Sequence, residues 1–161
     1  VADLSLDKDP STPVNNYRHV LPITVRTRDI DAWGHVNNAV YFTYLEMARL
    51  DYFREVLLHN QTLRRLSSIG IILAEVSCQF KQPVFFGQPV LVGTRVVEIG
   101  NSSFHLEHRI EADGQLAALG KAVSVHYDYE TGMSVPVPDR LRVRVDAFED
   151  RTTDSTNEID D

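Results

Sequence analysis

Between Ala39 and Leu58 the chain runs for twenty residues without a proline or a glycine, and Asn37-Asn38 precede this stretch with side chains suited to capping a helix. A helix of that length is about 30 Å long, close to the width of a small domain. Its apolar residues (Val40, Tyr41, Phe42, Tyr44, Leu45, Met47, Ala48, Leu50, Tyr52, Phe53, Val56, Leu57) fall on more than one stripe, which predicts a helix packed on several sides. A chain of this size with such an element needs a second layer to wrap around it.

The rest of the sequence supplies that layer. Leu21 to Thr27 alternates with Ile23 and Val25 on one face, and from Gly70 onward the period switches to two over four longer runs. These are Ile71 to Gln82, Pro89 to Ile99, Ser103 to Ala112 and Gln115 to Tyr129. Gly100-Asn101 separates the second from the third, and Asp113-Gly114 closes the third onto the fourth as a two-residue hairpin. In the last run Ala118, Gly120, Ala122 and Ser124 share one face, a strip of small residues able to receive the helix. The expected class is α+β: a curved antiparallel five-stranded sheet wrapped around one long central helix, with a short terminal helix over 138–148.

Charge divides the chain into a body and two ends. Residues 1–16 hold three acids and one base, residues 146–161 hold seven acids and one base, and the remainder carries 13 acids against 14 bases. The expected organisation is a polar N-terminal tail over 1–19, one domain over 20–148 and an acidic, disordered tail over 149–161. A near-neutral body lacks the basic face that nucleic acid requires. No uninterrupted apolar stretch is longer than Ile71 to Ala74, which is far short of the roughly 20 residues that span a bilayer. Cys78 is the single cysteine, which excludes an intrachain disulfide and suits a reducing, cytoplasmic setting.

The stretch from Val25 to Arg49, VRTRDIDAWGHVNNAVYFTYLEMAR, resembles the opening of a hot-dog-fold acyl-CoA thioesterase of the 4-hydroxybenzoyl-CoA thioesterase type. It shows a strand ending in Asp-x-Asp, a glycine three residues later, then His-Val-Asn-Asn, an aromatic helix entry and Glu-x-Ala-Arg. The later Phe80-Lys-Gln-Pro-Val-Phe-Phe-Gly-Gln-Pro-Val is similar to that family's second strand and the turn after it. The resemblance implies a hot-dog fold, hydrolysis of an acyl-CoA to free acid and CoA, and assembly into a homodimer or homotetramer. CoA would enter as part of the substrate, with no separate cofactor and no metal.

By the same resemblance, the working carboxylate falls on Asp31 and the oxyanion donor on the backbone amide of Asn38. Thioester hydrolysis needs a group that takes a proton from water or attacks the carbonyl itself, and a carboxylate does either. It also needs donors where negative charge develops, and a helix start presents unpaired N–H groups at a positive dipole end. His35, Val36, Asn37, Tyr41 and Glu46 are the candidates for substrate contact, with Glu46 equally able to serve as a structural partner for Arg49. Asp29 fits a structural hydrogen bond or an ion pair with a neighbouring arginine. The hairpin at Gly100 to Ser103 has no basic residue, which leaves Lys81, Arg95 and Arg109 or backbone amides for CoA phosphates.

Competing site types find less in the sequence. His105 and His108 fall on opposite faces of one strand, so they do not form a metal pair. No Gly-x-Ser-x-Gly elbow is present. An acyl-thioester hydratase or dehydratase using Asp31 and His35, and a non-catalytic acyl-CoA binding module, are the alternatives.

Overall fold

The computed structural model describes residues 13–58 and 68–150, so the expected tails fall outside the described residues over 1–12 and 151–161. Strand β1 (His19–Ile23) leads into helix α1 (Asn38–Leu58), followed by β2 (Ile71–Phe80), β3 (Val90–Ile99), β4 (Ser103–Ala112), β5 (Gln115–Asp128), a two-residue β6 (Met133–Ser134) and helix α2 (Asp139–Phe148). All pairings are antiparallel and the sheet order is β1-β3-β4-β5-β2, with β6 added to the end of β5. The expected α+β hot-dog architecture is the observed one. Among the described residues, no helix is long and apolar enough to cross a membrane.

The strip of small residues on β5 receives α1 as expected. A Cβ placed on Gly120 would lie 2.8 Å from Cδ1 of the fully buried Leu45, closer than carbon atoms tolerate. Gly120→Ala is therefore expected to cost about 1–2 kcal/mol through overpacking, measurable as a lowered urea midpoint with an unchanged slope.

Three expectations are corrected. Helix α1 is covered on one face only: Tyr41, Tyr44, Leu45, Ala48, Tyr52, Phe53, Val56 and Leu57 are buried, whereas Phe42, Met47 and Leu50 stay exposed. The sheet packs along one side of the helix and α2 packs against its later turns, while Phe42, Met47 and Leu50 are left exposed among the described residues. Strand β1 stops at Ile23 because residues 27–29 wind into a single tight turn, held by the Arg26 N–H donating to Asp29 Oδ2 at 2.9 Å.

The polar segment ahead of residue 20 is also less tail-like than its composition suggests. Val14 and Tyr17 are buried on the outer face of the sheet: the Val14 N–H donates to Glu111 Oε1 at 2.9 Å, and the Tyr17 ring lies against Gly93 under the Arg95 guanidinium. At the other end, Glu149 accepts hydrogen bonds from the Tyr52 hydroxyl and the Val96 N–H, and Asp150 pairs with Arg18. Both ends of the expected domain therefore extend by packing.

The core consists of two apolar clusters. One gathers Tyr41, Leu45, Ala48, Val92, Ile110 and Ala118; the other gathers Tyr52, Phe53, Val96, Leu106 and Ala122. Between them runs one row of the sheet, His19 beside Thr94 beside His108 beside Gly120, and the Arg49 charge of α1 acts on His108. His108 is fully buried; its Nδ1 and the Thr94 hydroxyl share a 3.0 Å hydrogen bond. Burial, with the nearby Arg49 and His19 charges, pulls the His108 imidazole down to about 3. His19 Nε2 lies 3.0 Å from Asp51 Oδ2.

Candidate active site

The stretch from Asp29 to Val40 closes on itself. The Asn37 N–H donates to the Asp29 carbonyl at 2.9 Å, Ile30 and Val36 form an antiparallel bridge, and the Asp31 N–H donates to the His35 carbonyl at 2.9 Å. The Val36 N–H reaches out to the Val84 carbonyl at 2.8 Å and ties this loop to the segment that follows β2. Asp29 anchors the base of the loop: it is buried, and its Oδ2 accepts from the Arg26 N–H and from the Tyr44 hydroxyl at 3.0 Å. Burial and the Asp29 carboxylate push the Tyr44 hydroxyl above the ordinary tyrosine range, so it remains a donor. Asp29 is thus structural, as expected.

The two oxygens of Asp31 have different surroundings. Oδ1 accepts the Trp33 N–H at 2.8 Å, which closes the turn, while Oδ2 stands 3.6 Å from His35 Nδ1. The side chain is 12% exposed, shielded yet reachable. One oxygen holds the loop, and the other has only the His35 ring near it.

Six to nine residues further on, the helix start distributes its amides. The Ala39 N–H is capped by Asn37 Oδ1 at 2.9 Å, the Val40 N–H by the Asn37 carbonyl at 2.8 Å, and the Asn37 N–H is taken by Asp29. The Asn38 N–H alone in this group has no acceptor among the described residues, and it sits at the positive end of a 21-residue helix. A proton acceptor and an uncommitted amide donor therefore belong to one loop.

The other expected site residues divide. His35 is partly exposed beside Asp31, and Asn37 is the helix cap. Val36 is buried in the core, so its side chain is a packing residue. Tyr41 is buried with its ring edge-on to Phe80 at 5.0 Å, and burial, followed by the neighbouring Cys78, raises its hydroxyl above the ordinary range. Glu46 lies about 12 Å along the helix from Asn38, with its side chain 60% exposed and 4.0 Å from Arg49.

Of the three cations considered for CoA phosphates, Arg95 pairs with Glu107 at 2.8 Å, and Arg109 with Glu111 at 2.7 Å in a buried pair on the outer face. That corrects the expectation for Arg109, whose charge is enclosed and matched. Lys81 is exposed, bonded to Gln79. Reading the sequence did not find the row of His19, Thr94 and His108; its signal was the alternation of β3 and β4, which puts Thr94 and His108 on the helix-facing side.

The chain matches the family model of the thioesterase-like superfamily over residues 25–145. Among solved structures it is similar to a thioesterase from Thermus thermophilus complexed with coenzyme A and zinc, at 34% identity and a TM-score of 0.75, covering 84% of this chain and 97% of that one. It is also similar to a gentisyl-coenzyme A thioesterase, at 27% identity and a TM-score of 0.69 over 78% of this chain and 98% of that one. The long-chain acyl-CoA thioesterase FadM of Escherichia coli K12 is 24% identical over 132 residues, 77% of this chain and 94% of that protein.

Proposed function

The chain belongs to the thioesterase-like superfamily, and from that premise we propose that it hydrolyses an acyl-CoA to the free acid and CoA, with Asp31 as the working carboxylate. The observation that carries this reading is the pairing, on one self-closed loop, of an Asp31 oxygen not used by the turn with the uncommitted Asn38 amide. Water attacks the thioester carbonyl while Asp31 Oδ2 takes its proton, or Oδ2 attacks directly and water opens the resulting mixed anhydride. In either course the carbonyl oxygen gathers negative charge and the Asn38 N–H stabilises it. The thiolate of CoA leaves. His35 borders the reacting atoms, and Asn37 fixes the direction of the amide by capping the helix.

We propose action in the cytoplasm, in keeping with the single cysteine, and assembly into at least a homodimer, supported by β2, a ten-residue strand with one edge unpaired among the described residues. The test is a panel of acyl-CoAs, aliphatic and aromatic, incubated with the protein while free thiol is measured. Thiol release from at least one member is expected. Binding without release from any of them would sink the hydrolytic reading and leave an acyl-CoA binding module.

A further inference from the structure

Asp31 and the Asn38 amide stand on opposite sides of a joint. Asp31 belongs to the loop and Asn38 to the first turn of α1, so the bonds inside the loop fix its own shape rather than its angle to the helix. At the joint itself, the bonds that Ala39 and Val40 donate to Asn37 are local to a single residue. A rotation of the loop about that residue would part the carboxylate from the amide while leaving each of them intact.

A longer brace crosses the joint. Tyr44, in the second turn of α1, is buried, and its hydroxyl reaches back fifteen residues to donate to Asp29 Oδ2 at 3.0 Å. Asp29 is the foot of the loop: the same oxygen accepts the Arg26 N–H at 2.9 Å, and the Asp29 carbonyl accepts the Asn37 N–H at 2.9 Å. The Asp29 side chain is 8% exposed, and its ion-pair partner Arg26 stands 4.0 Å away on a half-exposed side chain. A carboxylate so enclosed, with no cation in hydrogen-bond contact, is held by the donors that reach it.

From this geometry we infer that Tyr44 is a positioning residue for the reaction: through Asp29 it holds the loop against α1 so that Asp31 Oδ2 and the Asn38 N–H face one substrate carbonyl. The inference rests on the hydrolytic reading and adds to it a core tyrosine that acts without touching the reacting atoms. Packing alone does not ask for the hydroxyl, since phenylalanine has the same ring. Reaction geometry does, because a misplacement of about 1 Å can cost about 10²-fold in rate.

The helix carries its own control. Tyr52 is equally buried, and its hydroxyl also donates to a carboxylate, Glu149 Oε1 at 2.6 Å, but it belongs to the other core cluster. The test compares Tyr44→Phe with Tyr52→Phe. Each loses one hydroxyl–carboxylate bond, and both are expected to lower the urea midpoint. Tyr44→Phe is expected in addition to lower kcat for thiol release about tenfold with KM kept within about twofold, while Tyr52→Phe keeps the wild-type values. Hydrogen exchange gives a readout that needs no turnover: the Asn37 amide, bonded to Asp29, is expected to exchange about fivefold faster or more in Tyr44→Phe than in Tyr52→Phe. A wild-type kcat in Tyr44→Phe overturns the inference. An equal loss of kcat in both variants also overturns it, as a general effect of destabilisation. A wild type that releases thiol from no acyl-CoA sinks the hydrolytic reading, and the exchange comparison still decides whether Tyr44 holds the loop: equal Asn37 exchange in the two variants removes the brace in either case.

Discussion

Asp31→Asn is expected to lower the rate of thiol release by about 10²–10⁴-fold, the range that a positioned general base contributes, while leaving acyl-CoA binding and the fold in place. The reasoning rests on how the two carboxylate oxygens are used. An amide keeps an oxygen that can accept the Trp33 N–H, so the turn survives. It cannot take a proton from water, and it is a far weaker nucleophile toward a thioester. A loss in kcat with little change in KM is the expected signature. Release unaffected by the substitution would remove Asp31 from the reaction and return it to the role of a turn residue.

The second large effect concerns stability in acid. Burial holds the His108 imidazole down to about 3, against an ordinary value of 6.5. Between those values the unfolded chain binds a proton that the folded one refuses, so stability falls as pH drops below 6.5 and is unaffected by this group above it. At about 1.4 kcal/mol per unit, the loss reaches about 3 kcal/mol by about pH 4.5. Urea denaturation as a function of pH measures it, with His108→Gln as the comparison, since a glutamine amide can still bond the Thr94 hydroxyl without titrating. The wild type is expected to lose stability more steeply than the variant between pH 6.5 and 4.5. Parallel curves would show that His108 does not carry the acid sensitivity.

Much of this architecture was legible because its signals are local. The Asp113-Gly114 turn requires positive φ at both positions, and both have it, at 49° and 71°. The period-two runs became β2 to β5 with ends within two residues of those expected, and the small residues of β5 met α1 where expected. What could not be read depends on distant partners. The segment over 13–19 looks polar on average, but Val14, Tyr17 and His19 each find a separate burial site on the sheet. The apolar residues of α1 do not reveal which of them the chain itself covers, because Phe42 and Phe53 are the same residue type in opposite environments. At the site, Asp31 and Asn38 were named through family resemblance. The division of labour between the two Asp31 oxygens, and the uncommitted state of the Asn38 amide, required coordinates.

The loop from Asp29 to Val40 has a consequence for how such a protein can change over evolutionary time. Its internal bonds, Asn37 to Asp29, Asp31 to His35 and Trp33 to Asp31, all span eight residues or fewer, so the geometry of this loop is encoded in one contiguous segment that can be transplanted or altered as a unit.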